Sequence, residues 1–160
     1  MKAFYPSLYS GKYLAQKCAS TGMQGGQNAS PVVSWGDIPK GTESFVLTML
    51  DRHPSMDGWV YWYVINIPAS VRGIQEKASS LREKLPQGCL EMRNSVGDLG
   101  YEGPNVPLGS EPHPIELTIH ALSVPMLLIG PYAKPEEREN AIEGKILATA
   151  KATALFAPVG

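Results

Sequence analysis

Two long stretches of this chain read as strands when their apolar and polar positions are sorted with a period of two. In "WVYWYVINI" (59–67), Trp59, Tyr61, Tyr63, Ile65 and Ile67 fall on one side and Val60, Trp62, Val64 and Asn66 on the other, because successive side chains of a strand point to opposite faces. Both sides are largely apolar, which predicts a central strand covered on both faces. "IELTIHAL" alternates more sharply, with Ile115, Leu117 and Ile119 set against Glu116, Thr118 and His120, the pattern of a half-exposed antiparallel strand. "SFVLTML" (44–50) has the β-branched and aromatic composition of a further strand. The polar, glycine-rich "GMQGGQNASP" reads as a loop leading into "VVSW". The 14 prolines and 16 glycines are spread through the sequence and divide it into short pieces, so the pattern predicts a mostly β domain with few helices.

Two helical pieces are expected among the strands. In "SLREKL", Ser80 stands three residues before Glu83, the spacing of a capping box. "KPEERENAIEGKILATAKATAL" opens with Pro135 in a first-turn position, followed by acidic residues where the helix dipole favours them. Ile142, Ile146, Leu147 and Ala150 then form an apolar stripe flanked by Lys145 and Lys151. That stripe predicts a C-terminal helix closing one open side of the sheets.

Composition narrows the functional classes. At 160 residues the chain is expected to be one domain, 1–160, large enough to bury a core without metal or disulfide staples. Lysine plus arginine number 14 against 15 acidic residues, a net charge of -1, so bulk charge gives no reason to expect a nucleic acid partner. The N-terminal "MKAFYPSLYSGKYLAQ" lacks the apolar core of a secretory signal, and the longest apolar run, "WVYWYVI", is far too short for a membrane span. A cytoplasmic protein with no membrane insertion is expected. Cys18 and Cys89 have no metal-site spacing and are expected to be unpaired.

Chemistry-bearing residues gather at strand ends. Asp51 ends "FVLTML" and is followed by Arg52, His53 and Pro54; Tyr61 and Trp62 lie early in the next strand; His113 opens the one after, at the end of "GYEGPNVPLGSEPHPIEL". Three strand ends meeting at one rim can form a shallow pocket, and the stiff proline and glycine stretch before His113 is suited to be its wall. Read singly, each has a structural role to fill: Asp51 as a turn aspartate, His53 as a solvated loop histidine, Tyr61 and Trp62 as core aromatics, His120 on the polar face of its strand. A hydrolase using His113 as general base, with Ser110 or Cys89 and Asp51, is an alternative reading, but neither nucleophile stands in a recognisable catalytic context. The three histidines show no HxH or HExxH spacing, and the glycines around 100–109 do not follow a strand and open a helix. No metal, no cofactor and no enzymatic activity are expected.

The succession "NASPVVSW", "IPKGTESFVLTMLDRHP", "YWYVINIP", "LPQGCLEMRNSVGDLGYEGPNVPLGSEPH" and "AIEGKILATAKATAL" resembles the phosphatidylethanolamine-binding protein family, in its bacterial and archaeal Raf-kinase-inhibitor-like branch, over roughly 27–155. The resemblance implies a β-sandwich of two antiparallel sheets with Greek-key connections and a C-terminal helix. It also implies a lipid-binding or anion-binding pocket for phosphate or a phospholipid head group, walled by a D-P-D-x-P segment, an H-W pair, a G-x-P-P turn and a P-H-R-Y segment. On this chain Asp51 and Pro54 match the first, Trp62 the second, Pro107 the third, and Pro112 with His113 the last. The expected ligand-binding set is Asp51, Pro54, Trp59, Tyr61, Trp62, Asn105, Val106, Pro107 and His113. The chain departs from these motifs at several points. The first segment lacks its second aspartate and is one residue shorter, Tyr61 replaces the family histidine, Pro114 and Ile115 replace arginine and tyrosine, and Ser95 ends an R-N-D triplet. The expected pocket therefore has altered chemistry, with Tyr61 restoring one donor and Arg52 or His53 bringing positive charge from a new direction. The family segment commonly carries a cis proline, expected here at His53-Pro54. By the same analogy a kinase or protease is a protein partner to consider, homodimerisation is in keeping with this branch, and the third reading is a protein-interaction module with a vestigial pocket.

Overall fold

The computed structural model describes residues 2–4, 9–10 and 13–159, with side chains from residue 13 onward; the N-terminal stretch weighed as a secretory signal lies partly outside them. Among the described residues the fold is mostly β, with two sheets of unequal size and one short α-helix. The large sheet holds β2 (Tyr9–Ser10), β3 (Tyr13–Leu14), β5 (Ser44–Asp51), β6 (Val60–Pro68), β8 (Leu90–Glu91), β9 (His113–Leu122) and β10 (Ile146–Phe156), in the order β2-β3-β10-β9-β5-β6-β8. The small sheet is β1 (Lys2–Phe4), β4 (Val33–Gly36) and β7 (Gly73–Ile74), with β4 in the middle. Its Trp35 packs on Phe45 of β5 at 5.4 Å between ring centroids. The expected all-antiparallel pairing holds with one exception, β3 running parallel to β10 at Tyr13 and Leu155.

The alternation of β5 and β9 carries through to packing. Phe45, Leu47 and Met49 of β5 join Ile115, Leu117, Ile119 and Ala121 of β9 in the main core, which also takes Val33, Trp35 and Ile74 from the small sheet. Val46 faces the other way, into a second apolar cluster with Ile65, Met92, Leu122, Leu127 and Ala133. Strand β6 does not keep the strict alternation its sequence predicts. Between its pairings Leu50↔Val60 and Met49↔Trp62 it spends two residues against one of β5, and between Leu47↔Val64 and Phe45↔Ile67 it spends three against two. These bulges turn Tyr61 and Trp62 to the same core, with Val64 and Ile67, and send Tyr63 and Ile65 to the second cluster. Asn66, at φ +59, takes the left-handed conformation of the second bulge, and its Oδ1 accepts a hydrogen bond from the Leu127 amide at 2.7 Å.

The C-terminal helix is much shorter than expected. It is α1 (Pro135–Ile142), and the chain then turns at Gly144, φ +76, into strand β10 along the edge of β9. Ala150, Ala154 and Phe156 are buried while Thr149, Lys151 and Thr153 are exposed, so "LATAKATALF" obeys a period of two. The small alanines let the stripe read equally well at helical spacing, and the unpaired edge of β9 decides between the two. Within α1 the buried side chain is Arg138 rather than an apolar stripe. The segment "SLREKL" forms a single 3-10 turn, Arg82–Lys84, and Ser80 donates to the Lys77 carbonyl instead of capping it.

Candidate functional site

Strands β5 and β9 are antiparallel neighbours, paired Asp51↔Ile115, so the last residue of one and the first of the other, Asp51 and His113, lie side by side. Strand β6 flanks β5 on its other side and brings Tyr61 to the same end through its first bulge. The three side chains meet on one carboxylate. Asp51 Oδ2 accepts the Tyr61 hydroxyl at 2.5 Å and His113 Nδ1–H at 2.8 Å, while Oδ1 accepts the His53 backbone N–H at 2.8 Å. Asp51 is fully buried, and His113 and Tyr61 nearly so. A carboxylate without solvent is stable only with such donors around it. Because the carboxylate accepts, the His113 proton sits on Nδ1, which leaves Nε2 as the ring nitrogen available to a ligand.

His53, expected to be solvated, instead stacks on the His113 ring at 4.2 Å between centroids and 16° between planes. Its Nδ1 accepts the Ser55 backbone N–H at 3.1 Å, so its own proton lies on Nε2, 3.5 Å from Glu111 Oε2. Burial, and after it the bond to Asp51, push the Tyr61 phenol well above the ordinary tyrosine range. The Tyr61 hydroxyl is thus a donor to Asp51, not a free donor for a ligand.

Two adjoining clefts open from this cluster and share Met56. One, of about 420 Å³, is lined by His53, Ser55, Met56, Pro107, Ser110, Glu111 and His113. The other, of about 310 Å³, is lined by Ser20, Met56, Trp59, Tyr61, Val96, Glu102, Gly103 and Asn105. Of the nine residues singled out from the sequence, Trp59, Tyr61, Asn105, Pro107 and His113 line these clefts, and Asp51 stands directly behind them. Val106 is buried in the main core. Pro54 is exposed on its turn and lines neither cleft; its peptide bond is trans, contrary to expectation, since the shortened loop closes as a tight turn from the His53 carbonyl to the Met56 amide. Trp62 also stands apart: its Nε1 donates to Glu91 Oε2 at 2.7 Å and its ring meets Tyr101 edge-on. Arg52 does not reach the clefts, being held by Glu116 at 3.1 Å and Asp57 at 3.4 Å.

Among the described residues no group of His, Cys, Asp and Glu is arranged to hold a metal. Both cysteines are free, and burial pushes the Cys18 and Cys89 thiols up to about 11. Ser110 donates to the Pro107 carbonyl and Ser55 bonds His53, so neither hydroxyl is held by His113. Sequence reasoning passed over Met56, Ser55, Glu111, Ser20 and Glu102 as lining residues. Their signal was only their place in the loops on either side of Asp51 and His113, and in the segment before β4.

A mostly β chain with a buried Asp–His–Tyr cluster opening into clefts between strand ends defines a small-ligand binding class of protein. The phosphatidylethanolamine-binding protein family matches residues 6–157, and the chain belongs to it. It is 34% identical over 158 residues to UPF0098 protein YbhB of Escherichia coli, covering 98% of this chain and 99% of that protein. A UPF0098 protein of Aquifex aeolicus is 35% identical over 131 residues, 82% of this chain and 75% of the relative. The crystal structure of Escherichia coli YbcL, described as a new member of the mammalian PEBP family, superposes with a TM-score of 0.87 at 28% identity over 99% of this chain and 98% of that one. Chlamydia trachomatis CT736, a homologue of the same family, superposes at 0.78 with 25% identity over 93% of this chain and 92% of that one.

Proposed function

We propose that this chain is a binding protein for a small phosphoryl head group, taken in the cleft between His53, His113 and Glu111. The observation that carries this reading is the fully buried Asp51 carboxylate, which fixes the His113 imidazole by Nδ1 and leaves Nε2 as the ring nitrogen that can meet a ligand. Glu111, exposed and close to His53, supplies the opposite charge that the ammonium of an ethanolamine group would meet. The stiff proline-rich loop limits the entropy lost on binding.

A hydrolase reading draws on the same Asp51–His113 pair, but each hydroxyl of the cleft is bonded elsewhere, so binding is the better-supported function. Calorimetric titration with phosphoethanolamine and with inorganic phosphate tests it. Phosphoethanolamine should bind the more tightly. His113→Ala should weaken it by at least about tenfold, the order expected for one hydrogen bond to a charged group, and Glu111→Gln should narrow the gap between the two ligands. Equal binding by wild type and His113→Ala would remove the cleft from consideration.

A further inference from the structure

On the opposite face of the large sheet, α1 covers Tyr63 and the second apolar cluster, and the buried side chain of that helix is a cation. Arg138 is 6% exposed. Its Nε donates to the Ala133 carbonyl at 3.0 Å, its Nη2 to the Arg93 carbonyl at 2.7 Å, and its guanidinium lies over the Tyr63 ring at 4.8 Å. These contacts position the group but do not neutralise it. Among the described residues neither Arg138 nor Arg93 forms an ion pair with a carboxylate, although Arg52, Lys17 and Lys151 all do. The Arg93 guanidinium lies over the Tyr132 ring at 5.6 Å.

The two arginines line one cleft of about 320 Å³ with Val60, Asn94, Ser95, Gly97 and Pro135. No carboxylate lines it, although Arg138 also borders the neighbouring cleft, which holds Glu139 with Tyr63 and Arg52. Asn94 is spent on its own loop, its Oδ1 accepting the amides of Val96, Gly97 and Asp98. Ser95 Oγ accepts the Val60 amide at 2.7 Å, which leaves its hydroxyl proton free to donate.

We propose that this cleft is a second anion site, taking phosphate or a phosphomonoester between Arg138 and Arg93 with the Ser95 hydroxyl as a third donor. Buried cations are ordinarily paired, and two guanidinium groups at one cleft repel unless an anion sits between them. Burial lowers the Arg138 pKa, Tyr63 offsets part of that, and the neighbouring Arg93 lowers it further. Planar guanidinium forks match the oxygens of a phosphate. A dianion, rather than a carboxylate, answers two of them.

The test is an NMR titration with inorganic phosphate, following the backbone amides of Ser95 and Gly97 and the Nε–H signals of Arg93 and Arg138, with sulfate and acetate as comparison arms. Saturable shifts at all four are expected with phosphate and sulfate, and much weaker ones with acetate. Arg93→Gln and Arg138→Leu should each weaken phosphate at these reporters by at least about tenfold. Thermal unfolding of Arg138→Leu in anion-poor buffer shows whether that variant is folded, and Arg93→Gln carries the test if it is not. His113→Ala should leave these shifts unchanged, which separates this site from the cleft on the other face. Unmoved Ser95 and Gly97 amides at the highest phosphate concentration, an equal response to acetate, or loss of the response in His113→Ala would each overturn the proposal.

Discussion

Asp51 receives three donors inside a volume closed to water, and its carboxylate holds the His113 ring in place. Asp51→Asn removes the charge and sets an amide against two donors, so it should lower unfolding stability by about 2–4 kcal/mol, measured by urea denaturation. Tyr61 adds a pH signature. Its phenol is raised above 10.0 by burial and by Asp51, so the folded chain holds that proton more tightly than the unfolded chain. The associated stability is complete below about pH 10 and is lost as pH rises through the raised value. Wild-type stability should therefore fall on the alkaline side, and Tyr61→Phe should fall less steeply, though it starts lower at neutral pH by about 1 kcal/mol. Tyr101, Tyr63 and the Cys18 and Cys89 thiols, raised mainly by burial as well, contribute to the slope that remains. Equal alkaline slopes for the two proteins would contradict this assignment.

Among the elements, the bulges of β6 decide what the site contains. Strict alternation sorted Tyr61 and Trp62 to opposite faces; two extra residues on β6 bring both to the main core, Tyr61 to Asp51 and Trp62 to Glu91. No hydrophobic period announces a bulge, although Asn66 marks the second one, being among the residues that tolerate positive φ. Asn66→Ala loses both that tolerance and the hydrogen bond to Leu127, and should cost about 1–3 kcal/mol in a chemical denaturation series, whereas Asn66→Gly should recover part of it. Strand β9 was legible because its apolar face alternates without interruption, and β5 because of its β-branched and aromatic composition. Strand β10 was not, because alanine at every second position satisfies helical and extended spacing alike, and only the partner strand selects between them. The burial of Arg138 in α1 had no signal in the sequence.

For the whole molecule, family membership and the mostly β architecture were readable from the order of motifs and their turn residues, while the composition of the clefts was not. Asp51, Tyr61 and His113 stand at the starts and ends of long strands, so topology brings them together. Met56, Glu111 and Glu102 sit in loops whose paths depend on tertiary contacts, such as Gly103, where a Cβ would overlap the Cys18 carbonyl. The large sheet thus separates a histidine cleft on one face from an arginine cleft on the other. Among the described residues no helix is long and apolar enough to cross a membrane. The most direct measurement is the ¹⁵N spectrum of the histidine rings during titration with phosphoethanolamine. Binding at the His113 cleft should shift the His113 Nε2 signal, shift His53 and the amides of Met56 and Ser110 in step, and leave His120 unchanged. Saturable binding with both His113 and His53 unmoved would place the ligand elsewhere and contradict the proposed role of the Asp51–His113 pair.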